Sequence, residues 1–290
     1  MAEKKIIRFA ILDLNAGLPN QGMRCISDIV HRWSRDAVVN IQYDVFDVRV
    51  KNKIPDLLSY DVYISSGGPG DPLNTRFEEW DIKWNNWFAD VMRWNANPDN
   101  LQKKFVFLIC HSFQLASRHL NAGLICKRRS TSFGVFPIHV MPAAINDPVF
   151  KDLKNPFYAV DSRDYQLIQP NHQLLDEMGA YITCIEKERP HVPYERAVMG
   201  LRFSPYIFGT QFHPEADSAG MLQHFQSPEK QQLVIQNHGE AKLNSMIEQL
   251  EDPGKIKWTN AHLLPNFLHE AYEHILTAGA DVRHNVFARD

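Results

Sequence analysis

The first 110 residues contain several short apolar runs and, between the first two, a segment whose apolar positions have helical spacing. Residues 6–14 and 61–65 have the composition of buried strands, and residues 38–50 contain an alternating pattern that also predicts a strand. Between them, residues 22–33 place apolar side chains on one helical face, and residues 105–109 form a further apolar run. This β-α-β order predicts an α/β fold with a doubly wound, mostly parallel sheet.

The pattern changes in the second half of the chain. Residues 132–209 are rich in predicted strands, whereas the segment after residue 215 is rich in helix formers. Residues 228–250 and 266–276 are each predicted to form one helix, with a break at Asp252-Pro253-Gly254. We therefore predict two parts, an α/β domain over residues 1–225 and a helical carboxyl-terminal extension over residues 226–290.

Composition narrows the classes of function. Of the 290 residues, 44% are hydrophobic and 22% are charged, which is typical of a globular protein. The net charge of −3 gives no electrostatic reason to expect binding to nucleic acid or to a membrane surface. Charged residues interrupt the amino-terminal segment, so we expect no hydrophobic region of a signal peptide there, and no apolar stretch has transmembrane length. The four cysteines form no CxxC pair, which favours reduced thiols. A cytoplasmic protein is expected.

Cys110 is the strongest candidate for a reactive residue. It follows the apolar run 105–109 and precedes a predicted helix that begins at His111. A nucleophile at such a turn projects from the carboxyl edge of a sheet, and the helix amino terminus favours its thiolate. The backbone amide of His111 would face an oxyanion. A buried structural cysteine is the alternative.

His213 and Glu215 lie about one hundred residues further on. Pro214 favours an extended backbone at His213, so the two side chains would point to the same side. Glu215 could then orient the imidazole, and His213 could serve as base and acid to Cys110. A surface histidine and a carboxylate at a helix start are the alternatives.

Three segments in this order resemble the class I glutamine amidotransferases, and the amidotransferase domain of GMP synthase and its stand-alone relatives most closely. They are residues 67–72 (Gly-Gly-Pro-Gly-Asp-Pro), 109–114 (Ile-Cys-His-Ser-Phe-Gln) and 209–215 (Gly-Thr-Gln-Phe-His-Pro-Glu). The resemblance covers about residues 6–225. It implies a flavodoxin-like sheet, a triad of Cys110, His213 and Glu215, and an oxyanion hole formed by the amides of Gly68 and His111.

The resemblance also implies roles in substrate binding. Gln114 matches a glutamine that helps to hold the amino-acid head group, although a solvated helix position is an equal alternative. Arg163 lies where relatives contact substrate and could bind a carboxylate, although a salt bridge is at least as good an interpretation. Relatives usually carry glycines where this chain has Leu108 and Ser112, which puts catalytic competence and elbow geometry in question.

The implied reaction is hydrolysis of a side-chain amide through a cysteine thioester, with glutamine or a γ-glutamyl small molecule as substrate. No cofactor or metal is implied. Family members pass ammonia to a synthetase, and this chain has no recognisable ATP-binding motif, so we expect a separate synthetase subunit or a stand-alone γ-glutamyl hydrolase. A homoserine acyltransferase-like enzyme and a non-catalytic scaffold or regulatory protein of the same fold are the alternatives.

Two further patterns concern partners and metals. Four tryptophans between Trp80 and Trp94 share a helical stripe, which predicts a helix packed on the sheet or, alternatively, a docking face. The carboxyl-terminal helices could likewise serve docking or a homodimer. His269 and His274 are five residues apart, which is unlike the spacing of four in helical zinc motifs, so we predict no metal site there.

Overall fold

The computed structural model describes residues 6–18, 20–35, 37, 39–189, 195–225, 228–252 and 254–287. The amino-terminal residues 1–5, on which the expectation about targeting depends, lie outside these. The strands of the described residues are β1 (Ile6–Asp13), β2 (Asn40–Asp47), β3 (Val62–Ser65), β4 (Phe105–Ile109), β5 (Leu124–Val140), β6 (Phe157–Ile168), β7 (Tyr181–Glu186), β8 (Val198–Ser204) and β9 (Ile207–Thr210). The α-helices are α1 (Gln21–Ser34), α2 (Glu79–Ala96), α3 (His111–His119), α4 (His172–Met178), α5 (Ser218–Phe225), α6 (Pro228–His238), α7 (Glu240–Glu251) and α8 (Ile256–Phe287).

The described strands form one sheet of nine in the order β2-β1-β3-β4-β9-β8-β6-β5-β7. The predicted doubly wound α/β architecture is confirmed. Pairing is parallel from β2 to β9 and antiparallel from β9 onward. The description "mostly parallel" therefore fits only the first half. The reason is that helical crossovers join most of the early strands, whereas a two-residue turn joins β8 to β9 and favours antiparallel pairing.

Helices cover both faces of the parallel half. Alternate residues of β1 point to opposite faces: Ile7 and Ile11 pack with α1 and α8, whereas Ala10 and Leu12 pack with α2 and α3. Parallel strands covered on both sides are expected to be apolar throughout, as the buried Phe105–Ile109 is. A third apolar cluster joins α6 and α7 to β5 and β6.

The tryptophan stripe belongs to the core. Trp80 and Trp87 are 4% exposed and Trp84 is fully buried, all packed with α3 and the sheet. The alternative of a docking face formed by this stripe is therefore wrong for these three residues. Large aromatic rings release much apolar surface from water when a helix covers a sheet, which favours burial over exposure.

The carboxyl-terminal helices differ in detail from the predicted ones. The predicted helix 228–250 is interrupted at Gly239, which has a φ of 84°, so that α6 and α7 are separate. By contrast, α8 runs through Pro265. Buried Leu264 and Phe267 flank that proline in the core shared with β4, and this packing offsets the lost backbone hydrogen bond.

The C-terminal region is helical as predicted, but α8 is not a separate layer. Its buried residues form one cluster with α1, β1 and β4, so this face of α8 is not available to a partner. The boundary at residue 225 and docking through other faces of these helices stay predictions. Among the described residues, no helix is both long and apolar enough to cross a membrane.

The parallel strands carry the candidate residues to one edge. Ser65 of β3 lies opposite Leu108 of β4, and Ile109 lies opposite Thr210 of β9. The segments that follow these strands therefore leave the sheet side by side at its carboxyl edge, where ligands bind in folds of this kind.

Candidate active site

Cys110 occupies a strained turn between β4 and α3. Its φ of 49° and ψ of −97° lie in a region that side-chain-bearing residues rarely adopt. Two backbone bonds hold the turn: the Cys110 amide donates to the Thr210 carbonyl at 2.7 Å, and the Gln114 amide donates to the Cys110 carbonyl at 3.0 Å. The backbone forms the tight strand-to-helix elbow although the usual flanking glycines are replaced, and the role of Cys110 as nucleophile stays a prediction.

Gly209 lies opposite Leu108, and the two residues are register partners on β9 and β4. A Cβ added to Gly209 would lie 2.9 Å from the Phe113 ring and 3.0 Å from the Phe203 ring, whereas its 3.4 Å distance from the Leu108 Cβ would be an ordinary contact. The two phenylalanine rings therefore require the glycine. Leu108 is fully buried in the same apolar cluster as these rings, so the large residue two positions before Cys110 belongs to the core.

Ser112 links the elbow to the glycine-rich turn after β3. Its hydroxyl lies 2.7 Å from the Ser65 hydroxyl and donates to the Ser66 carbonyl. The Trp84 indole donates to the same Ser65 hydroxyl at 3.1 Å. All three serines are buried. A glycine at position 112 could not make these bonds.

His213 and Glu215 lie together as predicted. The Nδ1 atom of His213 is 2.9 Å from Oε1 of Glu215. The His213 amide donates to the Val160 carbonyl at 2.8 Å, which fixes the extended segment against β6. Glu215 is buried and His213 is partly exposed, so the carboxylate lies behind the imidazole.

Cys110 lies beside the imidazole of His213. Burial disfavours the imidazolium, but the charge of Glu215 and the charge and hydrogen bond of Cys110 outweigh it and hold the pKa of His213 well above its usual range. Both residues also border Gly67, where an added Cβ would lie 2.9 Å from the His213 Cε1 and 3.4 Å from the Cys110 Cβ. The sulfur and the imidazole, one hundred residues apart in sequence, meet at one rim.

Asn260 supports Glu215 from the far end of the chain. Its side-chain amide, on α8, donates to the Glu215 carbonyl at 2.7 Å, and its own oxygen accepts from Arg32 of α1 at 2.9 Å. Sequence reasoning missed Asn260, because nothing in the local pattern links it to residue 215. The carboxyl-terminal helix therefore contributes to the site.

The first turn of α1 borders the same carboxylate. A Cβ added to Gly22 would lie 3.2 Å from Oε1 of Glu215. Since the amino terminus of a helix carries partial positive charge, this end of α1 attracts the carboxylate oxygen. The Oε2 atom of Glu215 is buried and has no hydrogen-bond partner among the described residues.

The two predicted oxyanion residues, Gly68 and His111, line the same cavity as Cys110. Gly68 packs so closely on the Leu14 carbonyl that an added Cβ would collide with it. Within the described part of the chain, neither the Gly68 amide nor the His111 amide donates to another protein group. The side chain of His111 is buried near Trp80, and burial, with a smaller contribution from Arg49, lowers its pKa to about 3. This imidazole is therefore neutral.

A cavity of about 800 Å³ opens beside Cys110. Gln114 lines it, and its amide donates to the Tyr165 carbonyl at 3.3 Å and to the Gln211 side chain at 3.1 Å. Gln211 in turn donates to the Cys110 sulfur at 3.7 Å. The sequence analysis did not predict that Gln211 links Gln114 to Cys110. Its position within the segment 209–215 was the one sequence feature that pointed to the site.

Arg163 lines the cavity, but two carboxylates already bind its guanidinium. It is 4% exposed and forms ion pairs with Asp161 at 2.9 Å and Glu186 at 3.2 Å. The structure therefore argues against the predicted fork to a substrate carboxylate and favours the salt-bridge alternative. The neighbouring Ser162 carbonyl accepts from the Cys110 thiol at 3.8 Å, so the main chain of this segment is the part that borders the site.

A sequence model described as glutamine amidotransferase class-I matches residues 26–229, well over half of the chain. The chain belongs to this family. No curated protein gives a significant sequence match to this chain.

Solved structures agree on the fold of the chain. A glutamine amidotransferase from Thermotoga maritima is 14% identical with a TM-score of 0.66, covering 91% of this chain and 97% of that one. A glutamine amidotransferase from Methylobacillus flagellatus is 11% identical with a TM-score of 0.54, covering 95% and 96%. The glutaminase domain of Trypanosoma brucei CTPS, solved with acivicin, is 14% identical with a TM-score of 0.53, covering 72% and 86%.

Proposed function

We propose that this protein hydrolyses the side-chain amide of glutamine, or of a γ-glutamyl small molecule, through a thioester on Cys110. The observation that carries the proposal is the position of Cys110, which lies on a strained elbow beside the imidazole of His213, whose pKa Glu215 and Cys110 raise. A thiolate–imidazolium pair supplies both the nucleophile and the proton that the leaving group needs. Family membership supports the same chemistry.

Each residue has a defined role in the proposed reaction. The Cys110 thiolate attacks the amide carbon, and the amides of Gly68 and His111 stabilise the oxyanion. His213, oriented by Glu215, gives its proton to the departing ammonia as the carbon–nitrogen bond breaks. Water, deprotonated by His213, then hydrolyses the thioester and regenerates the thiolate. The net reaction consumes one amide and one water and yields one carboxylate and one ammonium ion, since the released ammonia takes up the proton that the new carboxylic acid loses.

The cavity supports a substrate with an amino-acid head group. In the proposed complex, Gln114, which is linked to Cys110 through Gln211, contacts that group together with the main chain of residues 162–164; the shared cavity supports this role. We further propose that the ammonia passes to a partner synthetase. The T. brucei structure is described as a glutaminase domain, which is consistent with this arrangement.

Covalent capture tests the proposal. Incubation of the full chain with a glutamine-mimicking chloroketone, followed by intact-mass and peptide mass spectrometry, is expected to place one label on Cys110. The Cys110→Ala variant should take no label there. Cys25→Ala is the matched control, because Cys25 borders the same cavity while burial raises the pKa of its thiol to about 12, so this variant should label normally.

Turnover assays separate the alternatives. Release of glutamate and ammonia from glutamine or a γ-glutamyl compound supports the proposal. Transfer from acyl-CoA to homoserine without amide hydrolysis would instead identify an acyltransferase. An inert Cys110 in the intact protein would overturn the enzymatic proposal and favour a scaffold or regulatory role.

A further inference from the structure

A second cavity of about 260 Å³ adjoins the candidate active site. Thr131 and Phe133 line both cavities, and the second one lies where α7 packs near β5, β6 and β7. Binding sites for drug-sized ligands span roughly 300–1,000 Å³, so this volume fits a smaller molecule.

The walls of this second cavity are positively charged, although the chain as a whole has a net charge of −3. Four cationic side chains and two carboxylates line it, which leaves an excess of two positive charges. The cations are Arg128, Lys187, Arg189 and Lys242, and the carboxylates are Asp161 and Glu186.

Both carboxylates are already occupied by arginines. Glu186 accepts from Arg128 and Arg163, each at 3.2 Å, and from Arg189 at 2.8 Å. Asp161 accepts from Arg163 at 2.9 Å and from a serine hydroxyl at 2.6 Å. These two carboxylates therefore do not neutralise the lysines of the same cavity.

The two lysines converge on one aromatic ring. The Nζ atoms of Lys187 and Lys242 lie 4.5 Å and 4.4 Å from the centre of the Phe136 ring. Among the described residues neither ammonium has an ion-pair partner within 4.0 Å. Burial, and then the charge of Lys187, lower the pKa of Lys242, as expected for a cation without a nearby carboxylate.

An unused donor lies in the same wall. The Nε atom of Arg189 is buried and has no hydrogen-bond partner among the described residues. Buried polar groups are almost always paired in folded proteins, so an orphaned guanidinium nitrogen next to a cavity indicates that a ligand completes its bonds. Together with the two lysines, it offers donors to a multiply charged anion.

We propose that this second cavity binds a small anion with at least two negative charges, carried by phosphate or carboxylate groups. Lys187, Lys242 and Arg189 supply the positive charges, and Phe136 and Phe133 supply apolar walls for the rest of the molecule. This site is distinct from the proposed triad, and its occupant would lie next to the cavity that holds the glutamine.

Binding of pyrophosphate and of citrate to the full chain tests the proposal. Isothermal titration calorimetry at fixed ionic strength should detect binding of at least one probe, and which one binds distinguishes phosphate from carboxylate chemistry. The double variant Lys187→Gln/Lys242→Gln should weaken that binding by about tenfold or more, since each lysine supplies a charge-assisted bond.

A lysine outside the cavity provides the matched control. Lys255 lies 5.0 Å from the ring of Tyr158, so Lys255→Gln also removes a lysine from an aromatic ring and should leave binding unchanged. The single variant Lys242→Gln serves if the double variant does not fold. Absence of binding by both probes, or equal binding by wild type and the Lys242→Gln variant, would overturn the proposal. Labelling of Cys110 in the same samples reports the proposed function independently.

Discussion

The hydrogen bonds of the Ser112 hydroxyl distinguish this elbow from one flanked by glycine. In the variant Ser112→Ala, the Ser65 hydroxyl loses its acceptor and the Ser66 carbonyl loses its donor, and both groups are buried. A buried polar group left unpaired costs about 1–3 kcal/mol. We therefore expect the free energy of unfolding to fall by about 3 kcal/mol.

The same substitution should also lower activity. Ser112 connects the first turn of α3 to the segment that carries Gly68, so its loss loosens the two proposed oxyanion donors relative to each other. Because a single misplaced donor weakens transition-state stabilisation, we expect kcat for glutamine hydrolysis to fall by about tenfold or more. The KM for glutamine should change less.

Ser117→Ala is the matched control for this prediction. Ser117 is buried on the same helix, but its hydroxyl has no partner among the described residues, so its removal should be neutral or stabilising. Urea unfolding followed by tryptophan fluorescence measures both variants, and buried Trp84 lies within this network. Equal unfolding midpoints for the two variants would refute the argument that Ser112 holds the elbow.

Three other predictions follow from the site. The His213 ring should titrate above pH 6.5 by NMR, and at a lower pH in the variant Glu215→Gln; an unchanged titration in that variant would contradict the pairing. The stability that comes from the raised pKa of His213 is present below pH 6.5 and is lost as the pH rises through the pKa of the folded state. Asn260→Ala should lower kcat several-fold, whereas Asn266→Ala, which removes bonds to residues 149 and 151, should lower only the melting temperature; equal effects on kcat would count against support of Glu215. Gly68→Ala should abolish activity or folding because of the Leu14 carbonyl, whereas Gly179→Ala, at an open position with φ 65°, should cost only about 1–2 kcal/mol in urea unfolding.

The local pattern predicted the elements that carry the site. The apolar run 105–109, the glycines at 67 and 68, and the spacing of His213 and Glu215 were enough to predict a strand, a turn and a paired side chain, because each depends on neighbours within a few residues. The same reasoning wrongly predicted a continuous helix through Gly239 and a helix that begins only after Pro265. At those positions, backbone strain and long-range packing outweighed the local preference for helix.

The sequence by itself determined the α/β class, the edge at which the functional residues lie, and the identity of the candidate triad. Only the tertiary structure decided that Arg163 pairs with Asp161 and Glu186, that the rings of Phe113 and Phe203 pack on Gly209, and that Asn260 supports Glu215. Such contacts join side chains that are distant along the chain, and their distances depend on how the layers pack. Periodicity reports which face a residue occupies, but it carries no information about which residue of another element lies opposite.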